Sequence, residues 1–145
     1  MYNNDVAPII LTMRNKIHSL RLLPGNDLKK SVELFVKKNK IKAGVILSSV
    51  GSLTVAELRF ADQKIPSKIK GPFEIIQLNG TVTVHGLHLH LGLSDSKGHM
   101  IGGHLLPGCL IHTTCELVIL EMKDREFIRE LDYQTSYKEL LVKKL

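Results

Sequence analysis

Two stretches concentrate the residues best able to do chemistry: Gly86-Leu87-His88-Leu89-His90-Leu91-Gly92-Leu93 and Gly102-Gly103-His104-Leu105. In an extended strand successive side chains point to opposite faces. Leu87, Leu89, Leu91 and Leu93 then make a core face. His88 and His90 stand on the other face, flanked by Gly86 and Gly92 and free of bulky neighbours. The run Ser94-Asp95-Ser96-Lys97-Gly98 is rich in turn formers and predicts a hairpin. A five-residue loop would pair Leu93 with His99, His88 with His104 and His90 with Gly102. Directly opposed residues have Cβ atoms about 4.5–5.5 Å apart, so three imidazoles converge. A one-residue slip, such as a bulge at Gly102-Gly103 would cause, carries His104 to the leucine face.

Three neutral imidazoles with an open fourth position are the donor set of a catalytic-type zinc site. The competing reading is a surface strand with incidental histidines. The paired His-x-His on the glycine face, with a third histidine in register, favours zinc on His88, His90 and His104. The expected strand Cys109 to Met122 puts His112, Thr114 and Glu116 on one face, and Cys115, Leu117 and Ile119 on the other. Glu116 is the candidate catalytic base, or the partner that orients a ligand. An ordinary solvent-facing carboxylate is the alternative. His112 ranks behind the triad as a ligand.

The elements around these residues follow from pattern. Residues 1–8 read as a loose start, and Ile9 to Leu23 as a strand. Pro24-Gly25 suits a type II turn, and Asn26 or Asp27 then caps a helix over about 27–40. Leu28, Val32, Phe35 and Val36 mark its buried stripe. Ile41 to Val50 reads as a buried strand broken by Gly51-Ser52, with a second strand over Leu53 to Ala61. Gln63 to Pro72 reads as a loop. Phe73 to Val84 reads as a long strand with a bulge or turn at Asn79-Gly80. Phe127 to Asp132 is a further strand, and Tyr137 to Leu145 an edge strand or docked tail. Many strands and one helix give an α+β fold dominated by an antiparallel sheet.

The chain has 145 residues, which suits a single domain over 1–145. No apolar run approaches the ~20 residues of a membrane span. The start, Met1-Tyr2-Asn3-Asn4-Asp5, lacks the pattern of a signal peptide, so a cytoplasmic location is expected. Cys109 and Cys115 are too far apart along one strand to bridge easily and read as buried free thiols. The net charge of +6 comes mostly from scattered lysines, which favours a solvated surface over a nucleic-acid stripe.

Several motifs in order then carry a resemblance. They are Arg21-Leu22-Leu23-Pro24-Gly25-Asn26-Asp27-Leu28, Gly71-Pro72-Phe73-Glu74-Ile75-Ile76-Gln77-Leu78-Asn79-Gly80, and the histidine hairpin. Thr113-Thr114-Cys115-Glu116-Leu117 and Phe127-Ile128-Arg129 through Asp132, Thr135 and Tyr137 complete the set. From about residue 9 to 142 the chain resembles the plant-and-prokaryote-conserved (PPC) domain, which plants carry behind AT-hook segments. The resemblance implies a homotrimer, an antiparallel sheet with one main helix, and zinc on His88, His90 and His104. Gly71-Pro72-Phe73-Glu74-Ile75-Ile76 is similar to an element that plant members use in protein interaction, but Pro72 stands in place of its arginine. His85 and Ser136 also depart from the family pattern, outside the triad.

Two functional classes follow. One is a DNA-associated regulatory protein, which the resemblance and the charge suggest. The chain has no Arg-Gly-Arg-Pro hook, so lysines alone would give salt-sensitive, sequence-independent affinity. The other is a zinc enzyme, a lyase or hydrolase acting on a small carbonyl or carboxylate compound. Arg21, Arg59 or a neighbouring subunit's lysine would then hold the carboxylate. The architecture is also similar to the acetolactate decarboxylase group, whose members hold zinc through three histidines.

Overall fold

The computed structural model describes residues 15–145. Its elements are β1 (Asn15–Leu22), α1 (Leu28–Lys38), β2 (Gly44–Arg59), β3 (Ser67–Thr83), β4 (Gly86–Ser94), β5 (Met100–Leu105), β6 (Leu110–Met122), β7 (Arg125–Leu131) and β8 (Lys138–Lys144). Six strands form one antiparallel sheet in the order β1-β6-β2-β3-β4-β5. The sheet curls until β5 also bonds the far end of β2, pairing Leu58 with Leu105 and Arg59 with His104. Strands β2, β3, β4 and β5 thus close a ring. β7 and β8 make a separate two-stranded sheet. The α+β class expected from the sequence is the class observed. No helix among the described residues is long and apolar enough to cross a membrane.

The core lies inside the curl and under the helix. Leu89, Leu91 and Leu93 of β4 meet Leu58, Leu105, Ile75 and Leu78 there, all buried. The Asp27 side chain accepts from the Lys30 N–H at 3.0 Å and caps α1. Its other oxygen accepts from the Gly108 N–H at 2.7 Å, which fixes the helix to the segment before β6. Leu28, Val32 and Val36 then face the sheet, with Phe35 at the margin. Lys37 and Lys38 in the last turn complement the helix dipole.

Three expectations need correction. Gly51-Ser52 does not break the chain: β2 runs through it, with register shifts against β6 between Gly51 and Leu53. Gly51 has φ +154°, and a Cβ there would stand 2.2 Å from the Thr114 carbonyl oxygen, so the glycine permits a close strand crossing. Ser67 to Pro72 is strand rather than loop, because β2 supplies the partners from Leu53 to Leu58. Asn79-Gly80 is regular ladder; the shift in that pair lies between Ile75 and Gln77. The expected strand start over residues 9–14 lies outside the described residues.

Candidate metal centre

The hairpin turn sets the register of the histidines. The Asp95 N–H donates to the His99 carbonyl, and the Gly98 N–H donates to the Asp95 carbonyl, both at 3.0 Å. Asp95 Oδ1 also accepts from the Lys97 and His99 N–H groups at 2.8 and 2.9 Å. Asp95 therefore pairs with His99, and the loop holds three residues instead of the expected five. The ladder slides by two: His90, not His88, stands opposite His104, and Gly92 opposite Gly102. A slide of two leaves every side chain on its expected face. The leucines stay inside and the histidines outside.

The three imidazoles meet on that outer face. Ring centroids are 5.2 Å apart for His88 and His90, 5.3 Å for His88 and His104, and 5.7 Å for His90 and His104. One ligand nitrogen from each lies within 4.8 Å of the others. The backbone of β3 lies close behind. A Cβ at Gly80 would stand 1.9 Å from the His88 carbonyl oxygen, so only glycine permits this approach. Thr81 is opposite His88 and Asn79 opposite His90.

Two of the three imidazoles, His88 and His104, are shifted towards the neutral form. Burial pushes the His104 imidazole down to about 4, helped by the positive charges of Lys29 and Arg59 and by His88 and His90. His88 is lowered too, by burial first and then by the Arg129 guanidinium. A neutral imidazole has one nitrogen lone pair that can ligate a metal. Buried His104 Nδ1 has no hydrogen-bond partner. An orphaned buried nitrogen beside two more imidazoles is what a metal ion would satisfy, so the donor set fits zinc.

The β7–β8 hairpin walls the site. The Phe127 N–H donates to the Lys42 carbonyl at 2.9 Å, and Thr83 Oγ1 donates to the Phe127 carbonyl at 2.8 Å. Two residues on, Arg129 Nη2 donates to Thr81 Oγ1 at 2.7 Å and Nη1 to His88 Nδ1 at 3.3 Å. A cleft of about 450 Å³ opens beside His88 and His104, with Arg59, Arg129, Lys138 and Glu139 among its lining. A second cleft of about 260 Å³ is lined by His88 and His90, and Arg129 lines this cleft as well as the first.

Arg59, one of the expected carboxylate holders, is at the site, opposite His104. Arg21 and Glu116 are not. They pair with each other across β1 and β6, lining a cleft with Ser19, Ser48 and Val50. Glu116 is opposite Val50 on β2 while His104 is opposite Arg59, roughly 30 Å along the same strand at about 3.3 Å per residue. His112 lies exposed on β6, outside the cluster. Arg129 and Glu139 were not anticipated as site residues. Arg129 did lie in a motif that carried the family resemblance, but no local spacing ties it to His88, 41 residues upstream.

Comparison with known proteins fits this geometry. The Plants and Prokaryotes Conserved (PCC) domain matches residues 12–123. The chain is 44% identical over 130 residues to the bifunctional protein GlmU of a Synechococcus strain, and spans only about one fifth of that protein's length: 90% of this chain, 21% of that one. A hypothetical protein of Salmonella has a solved structure with TM-score 0.89 and 40% identity, covering 92% of this chain and 97% of its own. A metal-containing protein of Archaeoglobus fulgidus follows at TM-score 0.76 and 27% identity, covering 91% and 99%. A candidate DNA-binding protein of Bacteroides thetaiotaomicron shares the fold at TM-score 0.74 and 20% identity, covering 88% and 91%.

Proposed function

This chain belongs to the Plants and Prokaryotes Conserved domain family, and on that premise we propose that it is a zinc-binding domain whose cleft takes a small carbonyl or carboxylate compound. The observation that carries the reading is the convergence of His88, His90 and His104, with the Nδ1 of His104 buried and unpartnered at the head of a cationic cleft. The metal-containing relative supports it. Bound zinc would supply a Lewis acid able to polarise a carbonyl or activate water. The chain's own residues hold the ion and favour the neutral form of His88 and His104, while Arg59 and Arg129 attract a negative group. Glu116 enters as a base only from a neighbouring subunit, in the homotrimer that the family implies. Apolar strand residues left more than half exposed, such as Leu47, Val50 and Ile76, support such assembly.

The deciding experiment is metal content by mass spectrometry of the purified, untagged protein beside His88→Ala/His90→Ala. About one zinc per chain, lost in the variant, is expected. A wild type that takes no metal even after zinc is added overturns the reading.

DNA-associated regulation is the second reading. It is supported by the charge of +6 and by the candidate DNA-binding protein that shares the fold. Binding to duplex DNA that survives physiological salt would favour it; affinity that vanishes there removes it.

A further inference from the structure

Arg129 makes a contact that the metal would have to break. A guanidinium carries only donors, so in the 3.3 Å contact Arg129 Nη1 donates and His88 Nδ1 accepts. A neutral imidazole has one nitrogen with a free lone pair; the other bears the proton. Arg129 therefore uses the single lone pair through which neutral His88 could ligate a metal. The Arg129 bond and metal ligation exclude each other. The second anchor, Thr81 Oγ1 at 2.7 Å, would still be available to Arg129 after that exchange.

The surroundings show where the freed donors would turn. Arg129 and His88 line both clefts, together with Glu139. The larger cleft already carries Arg59 and Lys138. An arginine released there faces a cationic hollow of about 450 Å³. Its planar fork matches a carboxylate or phosphate in two parallel hydrogen bonds. Glu139, whose Oε1 accepts from Thr135 Oγ1 at 3.0 Å, is the carboxylate in the lining of both clefts.

We infer that Arg129 couples two binding events at this site: it holds the His88 lone pair in the metal-free protein, and on metal binding it turns with Arg59 to clamp a small anion, carboxylate or phosphate. The inference rests on the zinc reading above and adds to it a ligand chemistry and a link between the two occupants. The link is reciprocal: whatever factor the anion adds to zinc affinity, zinc adds to anion affinity.

The test is zinc affinity of the purified full chain, measured by competition with a chromogenic chelator. Wild type, Arg129→Ala and Arg59→Ala are compared alone, with excess acetate and with excess methyl phosphate. In wild type one anion should tighten zinc binding about three- to tenfold, the scale of one partly exposed charge-assisted hydrogen bond. The effective anion identifies the carboxylate or phosphate class. Arg129→Ala should bind zinc more tightly than wild type without any anion, and lose the anion effect. Arg59→Ala removes equal charge without touching His88, so it should tighten zinc binding less and keep a weakened anion effect. The inference is overturned if neither anion changes wild-type affinity, if Arg129→Ala keeps the coupling, or if Arg59→Ala tightens zinc as much. A wild type that binds no zinc sinks the zinc reading and the coupling together. Zinc binding without coupling sinks the coupling alone.

Discussion

His90 on β4 stands opposite His104 on β5, and Arg59 on β2 stands opposite the same His104 on its other side. One residue is thus shared by the two ladders that close the sheet. Closure brings an arginine beside the imidazole cluster, and partial burial there lowers the proton affinity of His104. Fold and site chemistry are joined at this residue.

That junction predicts an acid sensitivity in the metal-free protein. In the unfolded chain His104 takes up its proton near the ordinary histidine value of about 6.5; in the fold it does so only at about 4. Between those values the unfolded state binds more protons, so stability falls as pH falls from about 6.5 towards 4. Solvent screening at a partly exposed ring limits the loss to about 1–2 kcal/mol. Urea midpoints of wild type and His104→Gln between pH 7 and 4.5 measure it. Wild type should lose more on acidification; equal losses would show that His104 contributes nothing.

Gly80 predicts how tightly the backbone behind the histidines is drawn. Its φ is +131°, and an added Cβ would meet the His88 carbonyl oxygen at 1.9 Å. Gly80→Ala should cost about 2–4 kcal/mol and weaken zinc retention, since β3 must move away from the strand that bears His88 and His90. Gly92→Ala is the control on the same histidine strand, where the Cβ would meet only Gln77 at 3.8 Å. It should cost less than about 1 kcal/mol. Urea denaturation of both variants, with zinc stoichiometry, checks the contrast.

Period-two alternation made the triad legible in the sequence. It put His88, His90 and His104 on one face, and the error in loop length slid the ladder by two, which alternation forgives. A cap at Asn26 or Asp27 and the Leu28-Val32-Val36 stripe were legible for the same kind of local reason, and in the structure the cap is Asp27. Gly51 was not, because a glycine that breaks a strand and one that admits a close neighbour look alike in sequence. Ser67 to Lys70 was not, because its strand character comes from pairing with β2. Glu116 was placed on a strand correctly, but alternation says nothing about which part of the sheet lies next to it. Arg129 reaches His88 only through the anchoring of β7 on β3, a tertiary fact.

The buried pair His18 and Glu121 predicts what holds the edge strand. His18 Nε2 and Glu121 Oε2 are 2.8 Å apart, with both residues buried, and Lys123 also donates to this carboxylate. Burial pushes the Glu121 carboxyl up, but the bonds from Lys123 and His18 outweigh it and hold it low. Replacing one partner leaves the other buried without its bond. His18→Leu and Glu121→Leu should each cost about 2–3 kcal/mol, and the double variant at least about 1 kcal/mol less than their sum. Urea unfolding of the four proteins measures the coupling, and additive losses would mean that the pair does not act as a unit.

The two thiols should be silent in the native protein. Cys109 and Cys115 are both free and wholly buried. Burial pushes the Cys109 thiol up to about 11 and the Cys115 thiol up to about 12. The Cys109 sulfur is also tied to Glu57, accepting from its N–H at 3.1 Å and donating to its carbonyl at 3.4 Å. The thiolate is the reacting species, so at pH 8 neither should be modified by a thiol reagent on the time scale of a free cysteine. Both should react once urea unfolds the chain. Prompt modification of the folded protein, read by mass spectrometry, would show that the segment from Cys109 into β6 opens towards solvent far more often than its burial allows.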